Sequence, residues 1–479
     1  MSLKKQALSG VKWTFLQQVG TQGIGFVISI LLARLLDPKE FGLIGMITVF
    51  IGIGASLMNA GLGSSLIRSK ELDERDYATV FYFNLIASIL IYIIIYFAAP
   101  FIAIFYNQPV LSQLIRWYAV TFIINAFGIV QTTRLTKLMD FKTLALISVP
   151  SLIIGGSVGL FMAYNGYGVW SLIGFYLTQS LVKVIQLWIY SGWKPLWVFD
   201  NKKFKKHFNF GYKITLSGLL DTIFNNVYSI VIGKFFPVAQ VGFYQRANSL
   251  QMYPVGIISS ILSRVTYPLF AQIQDDNVRL KSIYKRILQL NIFLLAPTLV
   301  IGGVLAEPLF RFLFTEKWLP AVPYFQILLV AGLLYPIHAF NLNILTVKGR
   351  SDLFLRLEII KKTLVALTIF IAIRYGVTGL LYGSVLVSVL AFLINTHYSG
   401  KFIAYGAWEQ LKDIALILVL ALVTGLLVYG TVQYTKEVLS NDFLILTINS
   451  LIGFTFYVSL SYLLKIAPQQ EILTIIKRK

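Results

Sequence analysis

The chain has 479 residues, of which 57% are hydrophobic and only 13% charged, and its formal net charge is +21. That balance describes a polytopic membrane protein and excludes a globular enzyme carried on a membrane anchor. Cysteine is absent, which excludes disulfides and thiolate metal sites.

Lys4, Lys5 and Lys12 precede a first apolar run that resembles a signal peptide. The run has no small-residue cleavage site and continues at spanning length, so it reads as an uncleaved first span. From there about fourteen apolar stretches follow one another, each long enough to cross a ~30 Å hydrocarbon core as a helix. They cover 13–33, 41–66, 78–105, 115–133, 143–163, 168–190, 212–235, 243–270, 287–306, 322–346, 357–375, 378–398, 414–434 and 443–464. The expected fold class is therefore an all-α polytopic membrane protein. The connecting loops are short, and the work falls to the helices and the cavity they enclose, which points to transport.

With the amino terminus cytoplasmic, alternate loops collect about 30 of the 41 Lys and Arg, and both termini lie in the cytoplasm. The positive charge is then a topology signal, and no nucleic-acid partner is needed to explain it. The densest cluster, "DNKKFKKHFNFGYK" at 200–213, reads as a solvated, lipid-facing linker.

An internal echo appears when the chain is shifted by about two hundred residues. "RLLDPKEFG" at 34–42 lies over "KFFPVAQVG" at 234–242, matching Arg34 to Lys234 and Gly42 to Gly242. Six spans separate the copies, an even number, so the repeats run parallel, as in transporters built from two lobes. The expected organisation is a six-helix lobe at 1–199, a second at 200–400, and an appended helix pair at 401–479.

Polar residues inside spans must turn toward protein or a water-filled cavity, because hydrocarbon offers no hydrogen-bond partner. In the first span Thr14, Gln18, Thr21, Gly25 and Ser29 recur at helical spacing beside Gln17 and Gln22. Span seven carries Lys213, Ser217, Asp221 and Asn225 at steps of four, and span eight carries Arg246 and Gln251, with Arg264 nearer its cytoplasmic end. Lys183 lies in the inner half of span six. Embedded cations need a partner or a purpose, and an anionic substrate supplies one. Lys183 and Arg264 are the deepest candidates. Arg34, Lys213, Lys234 and Arg246 either join them or reach the headgroups.

Asp221 is the acid expected nearest mid-membrane. It is either a coupling site for a proton or sodium ion, or a static partner of Lys183, Lys213 or Arg264. No "GxxxxGK[ST]" loop is present, and His207, His338 and His397 have no metal-ligand spacing. No cofactor, metal or enzymatic activity is expected.

The runs "SGVKWTFLQQVG", "LLARLLDPKEFGLIGM", "GLGSSLIR" and "GFYQRANSLQMYP" together resemble the polysaccharide transporter (Wzx-type) branch of the multidrug/oligosaccharidyl-lipid/polysaccharide flippase superfamily. They are similar to colanic-acid and teichuronic-acid exporters. The resemblance covers essentially the whole chain and implies a flippase that moves an undecaprenyl-diphosphate-linked oligosaccharide to the outer leaflet of a bacterial inner membrane. Membrane lipids and a polysaccharide polymerase complex are the further partners implied. Three rival readings are a multidrug or sodium-type antiporter, a non-transporting membrane scaffold within a polysaccharide assembly complex, and a flippase for the peptidoglycan precursor.

Overall fold

The computed structural model describes residues 3–477, leaving aside the side chains of 3–12, 15, 59, 261–265 and 475–477. Arg264 therefore falls outside the described side chains. No strand occurs among the described residues. The helices are α1 (Leu3–Leu35), α2 (Pro38–Asn59), α3 (Leu62–Arg68), α4 (Glu74–Tyr106), α5 (Val110–Lys137), α6 (Phe141–Tyr164), α7 (Trp170–Tyr190), α8 (Asn201–Asn225) and α9 (Val227–Phe235). They continue with α10 (Val238–Gln272), α11 (Asn277–Val304), α12 (Ala306–Phe314), α13 (Val322–Val347), α14 (Ser351–Ala372), α15 (Gly376–Ile403), α16 (Ala407–Val438), α17 (Asp442–Leu463) and α18 (Ala467–Lys477).

Among the described residues, eleven helical segments are long and apolar enough to cross a membrane, and one of these, Ser351–Ile403, contains both α14 and α15. The expected spans at 212–235 and 243–270 are not among these: the first is divided at Asn226 between α8 and α9, and the second contains residues 261–265, which lie outside the described side chains. The protein is a multi-pass membrane protein.

Two expected spans are broken. Span two ends as α2, turns through Ala60 (φ 41°) and Gly61 (φ 64°), and resumes as α3. Span seven is interrupted at Asn226 between α8 and α9. The cluster at 200–213 is not the solvated linker expected from its charge but the first turns of α8. Asp200 caps that helix, accepting from the backbone N–H groups of Lys202 and Lys203 at 2.8 and 3.2 Å. An N-cap aspartate satisfies donors that a helix start leaves open, so the helix begins well before the apolar run.

The chain forms two compact units, Met1–Gly242 and Phe243–Lys479. In the first, α4 packs on α5, α6 on α7 and α1 on α6, while α8 runs beside α2, α3 and α4. The start of α2 follows from "DPKE": Pro38 sits at the first helical position and the Glu40 carboxylate accepts from the Asp37 N–H at 2.7 Å.

The echoed segments meet inside this unit. A methyl on Gly42 would lie 2.1 Å from the Val238 carbonyl oxygen, and one on Gly242 would lie 2.0 Å from that of Pro38. The two helix starts cross backbone on backbone, each glycine seated on the other copy's carbonyl.

The second unit is built around α11, α13 and α15, with Tyr284, Ile292, Phe340 and Ile417 in its apolar core. The helix pair α16–α17 joins this core. The buried Gln410 side chain donates to the Tyr405 carbonyl at 3.1 Å, and Tyr405 and Lys285 both bond the Asp413 carboxylate at 2.7 Å.

At the other end of α16, Glu307 bonds Lys436 at 2.8 Å and Arg311 at 2.7 Å, and Arg311 reaches Asp442 at 3.4 Å. The hydrogen bond from Lys436 is the chief reason the Glu307 carboxyl sits below its usual range. A carboxyl lowered in the folded state contributes stability above its unfolded value of about 4.3, which is lost as the pH falls below that. The thermal midpoint of the detergent-solubilised protein is expected to fall between pH 6 and 3.5, and Glu307→Gln is expected to flatten part of that fall. Equal pH profiles for the two proteins would show that the cluster contributes nothing.

Candidate functional site

Within the first unit, α2, α3, α5, α7 and α8 enclose a cavity of about 650 Å³. Lys183, on α7, is the charged side chain among its described lining residues. The rest of the wall is small or hydroxylic: Ser56, Ser64, Asn125, Thr132, Thr133, Thr136 and Thr215, with glycines at 61, 63, 128 and 218. No carboxylate lines it among the described residues.

The lining hydroxyls on α5 are held in one orientation. Thr132, Thr133 and Thr136 donate to the carbonyls of Gly128, Ile129 and Thr132 at 2.8 to 2.9 Å. Their hydrogens are spent on their own helix, so their oxygens present acceptor lone pairs. The Asn125 amide reaches Ser180 at 3.5 Å. Lys183 has no hydrogen-bond or ion-pair partner among the described residues. A half-buried ammonium in such a place offers three unused donors, which suits an anion.

Of the cations expected to share an anion site, Lys183 is the one among the described residues that lines this cavity, and Arg264 lies outside the described side chains. Arg34 is exposed at the end of α1, and Lys213 is exposed with its ammonium 5.9 Å from the Tyr212 ring centre. Lys234 donates to the Phe105 carbonyl at 2.6 Å and lies over that ring. Arg246 is buried in the second unit over Phe314 and Trp318, 4.9 and 5.2 Å from their centres. Stacking of this kind suits guanidinium and fixes Arg246 to α12 and the turn after it.

The polar candidates also scatter. Gln18 is half-buried and Gln22 exposed on α1, whose neighbour Gln17 donates to Ser148 of α6 at 3.1 Å. Asn225 and Asp221 are exposed on α8, and Gln251 is buried in the second unit against Gly332. Neither Lys183 nor Lys213 forms an ion pair among the described residues, and Arg264, the third partner expected for Asp221, lies outside the described side chains.

The sequence reading missed the α5 wall. Asn125, Thr132 and Thr136 recur at steps of seven and four, so the signal was a polar stripe in span four. It missed a second feature at one end of the cavity. Asp76 in the first turn of α4 has two roles. One oxygen accepts from the Asp73 N–H at 3.0 Å as a capping residue, and that oxygen also receives Lys203 at 2.7 Å. The other oxygen bonds His207 Nε2 at 3.0 Å. A carboxylate only accepts, so Nε2 carries the hydrogen, and in the neutral ring Nδ1 accepts from the Ser65 hydroxyl at 2.8 Å. His207 is fully buried, as Asp76 and Ser65 nearly are.

A helical membrane protein with a hydroxyl-lined cavity holding one lone cation has the architecture of a transporter. The polysaccharide biosynthesis protein family matches residues 31–323, and the chain belongs to it. The chain is 28% identical to the teichuronic acid biosynthesis protein TuaB of Bacillus subtilis (strain 168), over 91% of each chain. It is 25% identical to the lipopolysaccharide biosynthesis protein WzxC of Escherichia coli (strain K12), over 86% of this chain and 84% of the relative. Its fold resembles that of the lipid II flippase MurJ in an inward closed conformation, with a TM-score of 0.75 at 16% identity, over 95% of this chain and 98% of that one.

Proposed function

We propose that the chain is a flippase that carries an undecaprenyl-diphosphate-linked oligosaccharide from the cytoplasmic to the outer leaflet of the bacterial inner membrane, by alternating access between lobes at 1–199 and 200–400. Lys183, with no hydrogen-bond or ion-pair partner among the described residues, in a hydroxyl-lined cavity whose described lining holds no carboxylate, is the observation that carries this reading. The ammonium suits the diphosphate, and the hydroxyls and Asn125 suit sugar. An organic cation would meet repulsion from Lys183 and no counter-charge there, which argues against a drug antiporter. Membership of a polysaccharide biosynthesis family argues against the peptidoglycan precursor as cargo.

With both termini cytoplasmic, α3 and the start of α8 lie on the inner side, and the cargo emerges where a polymerase complex takes it up. A diphosphate carries about two negative charges, and each charge crossing the field is worth about 2.3 kcal/mol per 100 mV, so an inside-negative potential supplies up to ~5 kcal/mol for export. Proteoliposomes loaded with the lipid-linked oligosaccharide test this. Outward movement is expected to rise when an inside-negative potential is imposed and fall when it is collapsed. Flux that ignores both changes would reject potential-driven export, and absence of flux under every condition would reject the flippase reading.

A further inference from the structure

The wall of the cavity formed by α8 is attached differently from the others. Among its described residues only His207 and Gly211 are buried. At Gly211 the contact is backbone on backbone: a methyl on Gly61 would lie 2.4 Å from the Gly211 carbonyl oxygen, and one on Gly211 would lie 2.1 Å from that of Ala60. Beside that crossing the Arg68 guanidinium of α3 lies over the Phe210 ring of α8, 4.6 Å from its centre. At His207 the contact is the polar network to Ser65 of α3 and Asp76 of α4, reinforced one turn earlier by Lys203, which also bonds Asp73 at 2.8 Å. The face one residue further round α8 carries Phe204 and Phe208 beside Phe83 of α4, while Lys202, Lys205 and Lys206 are exposed.

A volume of about 650 Å³ suits a drug-sized ligand, for which pockets run from about 300 to 1,000 Å³. A lipid-diphosphate bearing several sugars needs a wall to move. Interdigitated apolar walls resist that, because parting them bares surface. Buried hydrogen bonds whose groups meet water once the walls part exchange for it with little net change.

We propose that the Ser65–His207–Asp76–Lys203 network is a releasable latch, and that α8 parts from α3 and α4 when a headgroup passes into or out of the cavity. The cargo in this statement rests on the flippase reading above; the latch itself does not. Asp76, His207 and Ser65 are positioning residues, since they line no part of the cavity and act through the placing of α8.

The chain has no cysteine, so Ser65→Cys with His207→Cys supplies a single thiol pair across the latch. Joining the pair with a short, reducible bifunctional thiol reagent is expected to lower flux in proteoliposomes at least about tenfold, with recovery on reduction. Undiminished flux with the pair fully joined overturns the latch. A cargo-free readout runs beside it: Thr215→Cys places one thiol on the cavity wall, labelled by a water-soluble maleimide. His207→Gln and, separately, Asp76→Asn are expected to raise the labelling rate about tenfold, the effect of one charge-assisted hydrogen bond. Unchanged rates in both variants also overturn the latch. Should the unjoined protein move no lipid-linked oligosaccharide, the flippase reading fails while the labelling still decides the latch.

Discussion

Lys183→Met should lower flux of a lipid-linked oligosaccharide in proteoliposomes by about ten- to a hundredfold, the range expected when one charged hydrogen-bond partner of a substrate is lost. The same substitution should leave the inserted protein as stable as before, or more so. Most embedded cations cannot be removed in this way, because deleting one strands its buried counter-ion. Lys183 has no such partner among the described residues, and methionine of similar length fills its place in the wall without the cost of holding a charge there.

Loss of activity with retained stability is the pattern of a binding residue, whereas a structural lysine would lose both together. Lys183→Arg keeps the charge and should restore most of the flux. Lys213→Met serves as the matched control: that lysine is exposed and outside the cavity, so its removal should change flux by no more than about twofold. Thermal midpoints in detergent and vesicle flux on the same preparations check all three. Unaltered flux in Lys183→Met would remove the observation on which the proposed function stands.

The helical, membrane-spanning class was legible in the sequence, because it is a periodic property of hydrophobicity. Lys183 was legible for the same reason: a cation far inside an apolar run stands out wherever it points. The α8 start was not. Its lysines were read as one charged block, when they divide at helical spacing into Lys203 and His207 on one face and Lys202, Lys205 and Lys206 on another. Even with that division made, the partners of His207 lie 131 and 142 residues away in sequence, and no local pattern announces such a pairing. The break at Ala60 and Gly61 was hidden because span two remains apolar through the turn, and hydropathy does not report backbone direction. Positive charge at or within spans gathered Arg34, Lys213, Lys234, Arg246 and Arg264 with Lys183 into one candidate set. The structure instead ties Lys234 to a carbonyl and Arg246 to two aromatic rings, roles that charge alone does not reveal.

Gly242→Val and Gly42→Val are each expected to remove most of the folded protein from membranes. A side chain at either position would begin 2.0 or 2.1 Å from a backbone carbonyl oxygen of the opposite copy, and a carbonyl fixed in a helix start cannot rotate aside as a long side chain does. The two backbones would have to separate by more than an ångström. Overpacking of side chains alone costs about 1–3 kcal/mol, and backbone against backbone should exceed that.

Alanine at the same positions gives a milder perturbation and a sharper test. Because Gly42 and Gly242 meet at one crossing, the first alanine should already part the helices, and the second should then add little. The double variant is therefore expected to be only slightly less stable than the worse single one, well short of the sum. Gly302→Ala, where a methyl meets nothing within 4 Å, should be neutral or stabilising by up to about 1 kcal/mol, as alanine is in a helix interior. Thermal midpoints of the single and double variants measure the coupling. Strict additivity at 42 and 242 would mean that the two glycines do not share one contact.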